Sequence, residues 1–333
     1  MTEESWVVSG PQVIEVDEVR SLRVQLVGGR VDVVTHEEPG ARIEVHDVDG
    51  RPLEVSLIDG ELRVGYQFTL GGWEGFLEKF RNFRDKDSAD VSIAVPRDLP
   101  TKVGTVSAEG LLAGLHARAS VSTVSGSLVV DGTRGTLAAN TVSGEVVVRD
   151  HHGDLSLNSV SGEVAASGAL TRVSASTVSG ELALDVTSGS SSIDATSVSG
   201  DVTVRLPQGE GVHVMANAVS GRLVVDGADH SRGGLPGHKV DLTSGDGRSR
   251  LSASTVSGHV TVLRGAPAGW KAVFGFYTPT LRTTDLIPGQ VRLLRSLLLA
   301  NEEAGVLRVI LADEDSGTWI PRRTPSPSDS PKP

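Results

Sequence analysis

Apolar residues alternate with polar ones along most of this chain, which is the period of a half-buried strand. In Thr141-Val-Ser-Gly-Glu-Val-Val-Val148 the alternation places Val142, Val146 and Val148 on one face, with Glu145 and Val147 on the other. A polar corner, Arg149-Asp-His-His-Gly153, follows, and Leu155 and Leu157 then turn inward again. Two short strands and a tight Ser-Gly bend make one unit. The unit recurs. A Ser, Thr or Ala followed by Val-Ser-Gly puts its glycine at 126, 144, 162, 180, 200, 221 and 258, and the first three intervals are 18 residues each. Thr105-Val-Ser-Ala108 is a degenerate earlier copy, and the nonapeptides ending at Gly180 and Gly258 differ at one position, Val173 against Leu251.

A lone unit cannot fold. Its inward apolar side chains, about five of them, contribute roughly 10 kcal/mol at ~2 kcal/mol each, while ordering its backbone and side chains costs ~1.5 kcal/mol per residue. Stacked units share backbone ladders and a continuous core. The expected fold is therefore all-β, a parallel β-solenoid (β-helix) of 18-residue coils over residues 101–265, with Val124, Val142, Val160 and Val178 stacked in register inside it. The third hexad of each unit is polar at Thr136 and Asp154, which favours a right-handed or irregular coil over a left-handed one.

Aromatic residues sharpen the domain map. None lies between residues 101 and 269. Trp6, Tyr66, Phe68, Trp73, Phe76, Phe80 and Phe83 precede that stretch, and Trp270, Phe274, Phe276, Tyr277 and Trp319 follow it. The open ends of a solenoid need covering, so aromatic-rich caps are expected at both ends. Residues 1–100 read as a strand-rich opening and cap, with Asp59-Gly60 as a hairpin turn and Trp73, Phe76, Leu77, Phe80 and Phe83 on one stripe of a helix over 73–83. Residues 266–320 read as a second cap with a helix over 288–301 and a strand over 306–311, and residues 321–333 as a disordered Pro- and Ser-rich tail.

The repeats, with Leu26-Val-Gly-Gly-Arg-Val-Asp-Val33 and the Trp-x-x-Phe-Leu stretch at 73–77, resemble the bacterial "putative adhesin" β-strand-repeat family of unknown function over roughly residues 12–265. The resemblance implies a β-helix-like fold, no established activity, no catalytic residues, and an accessory role in an envelope-stress or regulatory system.

Composition narrows the chemistry. A net charge of −11 argues against binding a phosphate backbone, so no nucleic-acid partner is expected. Cysteine is absent, so there is no disulfide framework, thiolate metal site or cysteine nucleophile. No apolar signal segment follows the acidic first residues, which points to the cytoplasm. Phosphate-loop, zinc-protease, nucleophile-elbow and calcium-loop motifs are missing, and Gly28-Gly29 leads into a strand rather than a helix. No cofactor, metal or catalytic residue is expected. His151-His152 reads as a solvated corner, and His213 as an outward strand residue. The serines of the repeat could form a flat hydroxyl array, although Ser-Gly is also what a tight bend uses. The basic residues beside the 73–83 stripe leave room for a peripheral membrane contact, with a cap as the other reading.

The most site-like feature is a column of carboxylates. Glu145, Glu163, Glu181 and Asp201 hold the same repeat position in successive units, after Ser127 and before Arg222 and His259. Neighbours at ~4.8 Å repel by about 1 kcal/mol even in a water-like dielectric. The column is either a solubility stripe or a docking stripe for a basic partner or a divalent cation. The expected function is a non-enzymatic scaffold that binds another protein, as a monomer or small oligomer. A self-assembling bactofilin-like or adhesin-like protein is the alternative, and a carbohydrate-active or acyltransferase β-helix enzyme the third reading.

Overall fold

A computed structural model describes residues 3–66, 87–231 and 237–265, together with two short strands, Leu311–Ala312 and Trp319–Ile320, which pair antiparallel. The chain divides into two units, Met1–Pro267 and Ala268–Pro333. The helices expected over 73–83 and 288–301, most of the C-terminal cap and the tail at 321–333 lie outside the described residues. Every regular element described is a strand, and twenty-four strands join in one sheet.

The 18-residue spacing becomes a hydrogen-bond register. Ala119 pairs with Leu137, Leu137 with Leu155 and Leu155 with Val173, all parallel, along a first row of strands. Leu128 pairs with Val146, Val146 with Val164 and Val164 with Leu182 along a second row. One layer is a strand from each row joined by the Val-Ser-Gly bend. Leu137, Leu155, Val173, Ile193 and Leu251 of the first row, and Val130, Val148, Leu184, Val204 and Val262 of the second, are buried in one core.

Layers do not follow chain order at either end. The layer Ser249–Gly265 sits between Ser192–Pro207 and the layer of Val212–Ala218 and Leu223–Val225, because Arg250 pairs with both Ser192 and His213, and Val260 with both Val202 and Leu223. At the opposite end Ser21–Leu26 lies between Glu61–Gly65 and Thr101–Thr105, and Gly28–His36 between Ser88–Pro96 and Glu109–Ala113. The parallel stack thus begins well before residue 101.

Antiparallel strands then close both ends. Leu53–Ile58 and Glu3–Val8 extend the first row beyond Glu61–Gly65, and Ala41–Asp49 and Gln12–Val16 extend the second. His238–Ser244 runs antiparallel to Val212–Ala218 at the other end. The hairpin expected at Asp59-Gly60 is present, with both residues at positive φ (52° and 78°) as a two-residue turn of that hand requires. Of the expected aromatic caps, Tyr66 is buried at the N-terminal end beneath the Arg51 guanidinium, 5.4 Å from its ring, and Trp6 packs against the core.

One inward assignment is corrected. Val124, Val142, Val160 and Val178 do stack in register, but on the outside, and Val178 is 48% exposed. The residue before each valine is the buried one: Thr105, Thr123, Thr141, Ser159, Thr177, Ser197 and Thr255. Alternation is therefore not continued through the bend from Val146 back to Val142. Except at Thr105, these buried hydroxyls serve the turn itself: Thr141 Oγ1 donates to Gly144 O at 2.8 Å, Ser159 Oγ to Gly162 O at 2.6 Å and Ser197 Oγ to Gly200 O at 2.7 Å.

Candidate functional site at the outer corner

The Val-Ser-Gly bend is built from close backbone approach. A Cβ on Gly144, Gly162 or Gly180 would lie 2.0–2.1 Å from the carbonyl oxygen of the equivalent glycine one layer below. These glycines have no left-handed φ, so the layer spacing, rather than the turn conformation alone, excludes a side chain there. Serine comes next to last in the bend and is held by the layer beneath. Ser143 Oγ donates to Val124 O, Ser161 Oγ to Val142 O and Ser179 Oγ to Val160 O, at 3.1–3.3 Å. The hydroxyl column spends its protons on the bend, which is the turn reading of these residues.

With the bend fixed in this way, the residue after each glycine is carried outward at one position per layer. Val146 N donates to Glu163 O, Val164 N to Glu181 O and Leu182 N to Asp201 O, at 2.9–3.0 Å, so Glu145, Glu163, Glu181 and Asp201 stand in an exposed column as the repeat predicts. Burial, then the charges of Glu181 and Glu145, raise the pKa of Glu163. The order at the upper end differs from chain order: His259 follows Asp201, whose Oδ1 accepts from His259 N at 2.8 Å, and Arg222 lies beyond, its N donating to His259 Nδ1 at 3.0 Å. Below Ser127 the column continues to Glu109 and Arg30, which sequence reading missed. Glu109 directly follows the degenerate Thr105-Val-Ser-Ala108 copy, so the signal was there; Arg30 needed the out-of-order layer.

Some other positions place opposite charges in neighbouring layers. On the second row Asp131 pairs in register with Arg149, and Asp185 with Arg205. Asp185 is buried, which raises its pKa against the opposing pull of Arg205. On the first row Asp154 meets Arg172 at 3.2 Å. Like charges also line up at Arg63, Arg23 and Lys102 on the first row, where Glu61 bridges the two arginines. The Glu145–Asp201 column is the longer one, with four members, and is acidic throughout.

The histidine corner is also corrected. His151 is fully buried, with Nδ1 2.9 Å from Thr133 Oγ1 and Nε2 3.2 Å from Asp154 O. A carbonyl can only accept, so Nε2 carries the proton and Thr133 donates to Nδ1. Desolvation lowers its pKa. His152 alone is exposed, beside Asp150. His213 faces outward as expected and meets Asp241 at 2.8 Å. Among the described residues no cluster of three or more His, Asp or Glu is arranged to hold a metal ion.

No curated protein matches the chain. Among solved structures it is similar to a "putative cell adhesion protein" from Clostridium sporogenes, at 12% identity over 79% of this chain and 100% of that one, with a TM-score of 0.25. A "putative adhesin" from Parabacteroides merdae is 14% identical over 79% of this chain and 96% of that one, with a TM-score of 0.35. A "putative lipid binding protein" from Parabacteroides distasonis is 12% identical over 77% and 97%, with a TM-score of 0.36. The family model described as Toastrack DUF4097 matches residues 32–263, well over half of the sequence, and the chain belongs to that family.

Proposed function

We propose that this protein is a non-enzymatic scaffold for protein–protein interaction, a β-solenoid that works in the cytoplasm as a monomer or small oligomer and docks a basic protein partner along the Glu145, Glu163, Glu181 and Asp201 column. The observation that carries this reading is the contrast between columns. Asp131–Arg149 and Asp185–Arg205 alternate in sign, whereas four successive carboxylates do not. Like charges stacked on a rigid face reinforce one another's potential, and a cationic partner relieves their repulsion.

The test is Glu163→Lys combined with Glu181→Lys. Surface substitutions of this kind move stability by less than about 0.5 kcal/mol, so the thermal melt should hold while capture of a specific partner from native cells is lost. Equal recovery of partners by both forms, with no shift of either melt by calcium or magnesium, would reduce the column to a solubility stripe.

A further inference from the structure

The correction of the bend valines leaves an apolar ridge. In spatial order Val106, Val124, Val142, Val160, Val178, Val198, Val256 and Val219 follow one another up the outer corner, each linked to the next layer through the bend hydrogen bonds. None is buried, and the last four are 47–52% exposed. The fold does not demand valine there. Outward first-row positions of the same layers carry Ser120, Ser122, Asn140, Asn158, Ser174 and Thr196, whereas on the second row Val129 and Val147 also face outward. The ridge runs parallel to the carboxylate column, three residues away across each bend.

We propose that this corner binds a cationic amphipathic helix of a partner protein, its apolar stripe on the valine ridge and its Lys/Arg edge on Glu145, Glu163, Glu181 and Asp201. The inference rests on the scaffold reading above and names its partner. Backbone pairing is closed to that partner, because the bend N–H groups already donate to the layer below: Val160 N to Thr141 O, Ser161 N to Val142 O. Only side chains are on offer, so the occupant must match their spacing. Both columns climb at ~4.8 Å per layer. A helix laid along them repeats at about 5.4 Å per turn and stays within about 2 Å of step over three or four turns. An extended strand repeats at roughly 6.8 Å on one face and loses step within two layers. Charge selects among apolar-seeking ligands: four carboxylates beside the ridge repel an anionic lipid surface as they repel a nucleic acid.

The probe is a fluorescent 14-residue Leu/Lys peptide with helical periodicity, compared by anisotropy with a peptide of the same composition in scrambled order. Full-length protein should bind the helical peptide at least tenfold more tightly than the scrambled one. Val160→Ser with Val178→Ser, and separately Glu163→Lys with Glu181→Lys, should each weaken binding by tenfold or more while the melt stays cooperative and shifts by no more than a few degrees. Equal binding of both peptides, or an unaffected ridge variant, would overturn the inference. So would two other results: a concentration-dependent dimer abolished by the ridge variant, which assigns the ridge to a second copy, or binding gained only in Phe76→Ser with Phe80→Ser, which assigns it to the chain's own residues 73–83. If the peptide fails yet charge reversal still abolishes capture of a native partner, the scaffold reading stands and the helical partner falls.

Discussion

Thr141 and Val142 are neighbours with opposite fates, and the reason is local. Thr141 Oγ1 turns inward and satisfies the Gly144 carbonyl while Val142 is carried out. Ala218, buried at the same position before the exposed Val219, shows that the inward turn comes from the bend's backbone and that the hydroxyl is an addition to it. Glycine is the least replaceable residue of the bend. Gly162→Ala forces a Cβ to 2.1 Å from Gly144 O, a backbone clash expected to cost about 3 kcal/mol. Val160→Ser, two residues earlier but outside, should cost less than about 1 kcal/mol. Urea denaturation of the pair checks the contrast. His151 gives a pH dependence whose sign follows from its burial. Its folded pKa is lowered, so the unfolded state binds the proton more readily. The stability it confers is fully present above its unfolded pKa of about 6.5 and is lost as pH falls below that value toward the folded pKa. Unfolding at pH 7.5 and 5 should therefore show a larger loss for the natural chain than for His151→Gln. An equal loss in both would place the acid-sensitive group elsewhere.

At the scale of elements, the two out-of-order layers act as wedges. Ser249–Thr255 is hydrogen-bonded on both edges, with Arg250 N donating to Ser191 O and Ser249 N to Gly211 O. The strand before it in the chain, His238–Ser244, lies beyond Val212–Ala218, to which it is paired, and is mostly exposed, with Leu242 at 43%. Amide exchange should thus be slow in 249–255, matching the middle of the stack, and fast in 238–244, although 249–255 lies later in the chain. Rapid exchange of 249–255 would mean that the wedge opens. The repeat made these layers visible as strands, because Val27-Gly-Gly-Arg-Val31 echoes Val142-Ser-Gly-Glu-Val146. It did not show their order. The 37-residue interval before Gly258 reads as two further turns, whereas the last turn folds back beneath the preceding one.

At the largest scale, antiparallel strands end the parallel stack of the unit Met1–Pro267 on both sides. A parallel edge repeats the surface on which the next identical layer would sit, which invites end-to-end growth. Glu3–Val8 and Gln12–Val16 at one end, and His238–Ser244 at the other, reverse direction and break that repeat. The intact protein should elute as a monomer or small oligomer by light scattering across a wide concentration range. Filaments in electron micrographs would favour the self-assembling alternative.

The candidate site was largely legible because a tandem repeat converts sequence spacing into spatial stacking. An 18-residue interval is one layer, so Glu145, Glu163 and Glu181 had to stand in line wherever the strands paired in parallel. Strand alternation, the buried second-row valines and the hairpin at Asp59-Gly60 are legible for the same local reason. What only the tertiary structure decided is everything set by contacts between distant segments. The valine ridge depends on how the bend breaks alternation, and the burial of His151 on a corner closed by Thr133 from the layer below. The ends of the charge column, Arg30 at one side and His259 before Arg222 at the other, depend on layers inserted out of order. A repeat specifies which residues share a position within a layer. Edge pairing between segments far apart in the chain chooses which layer lies next to which.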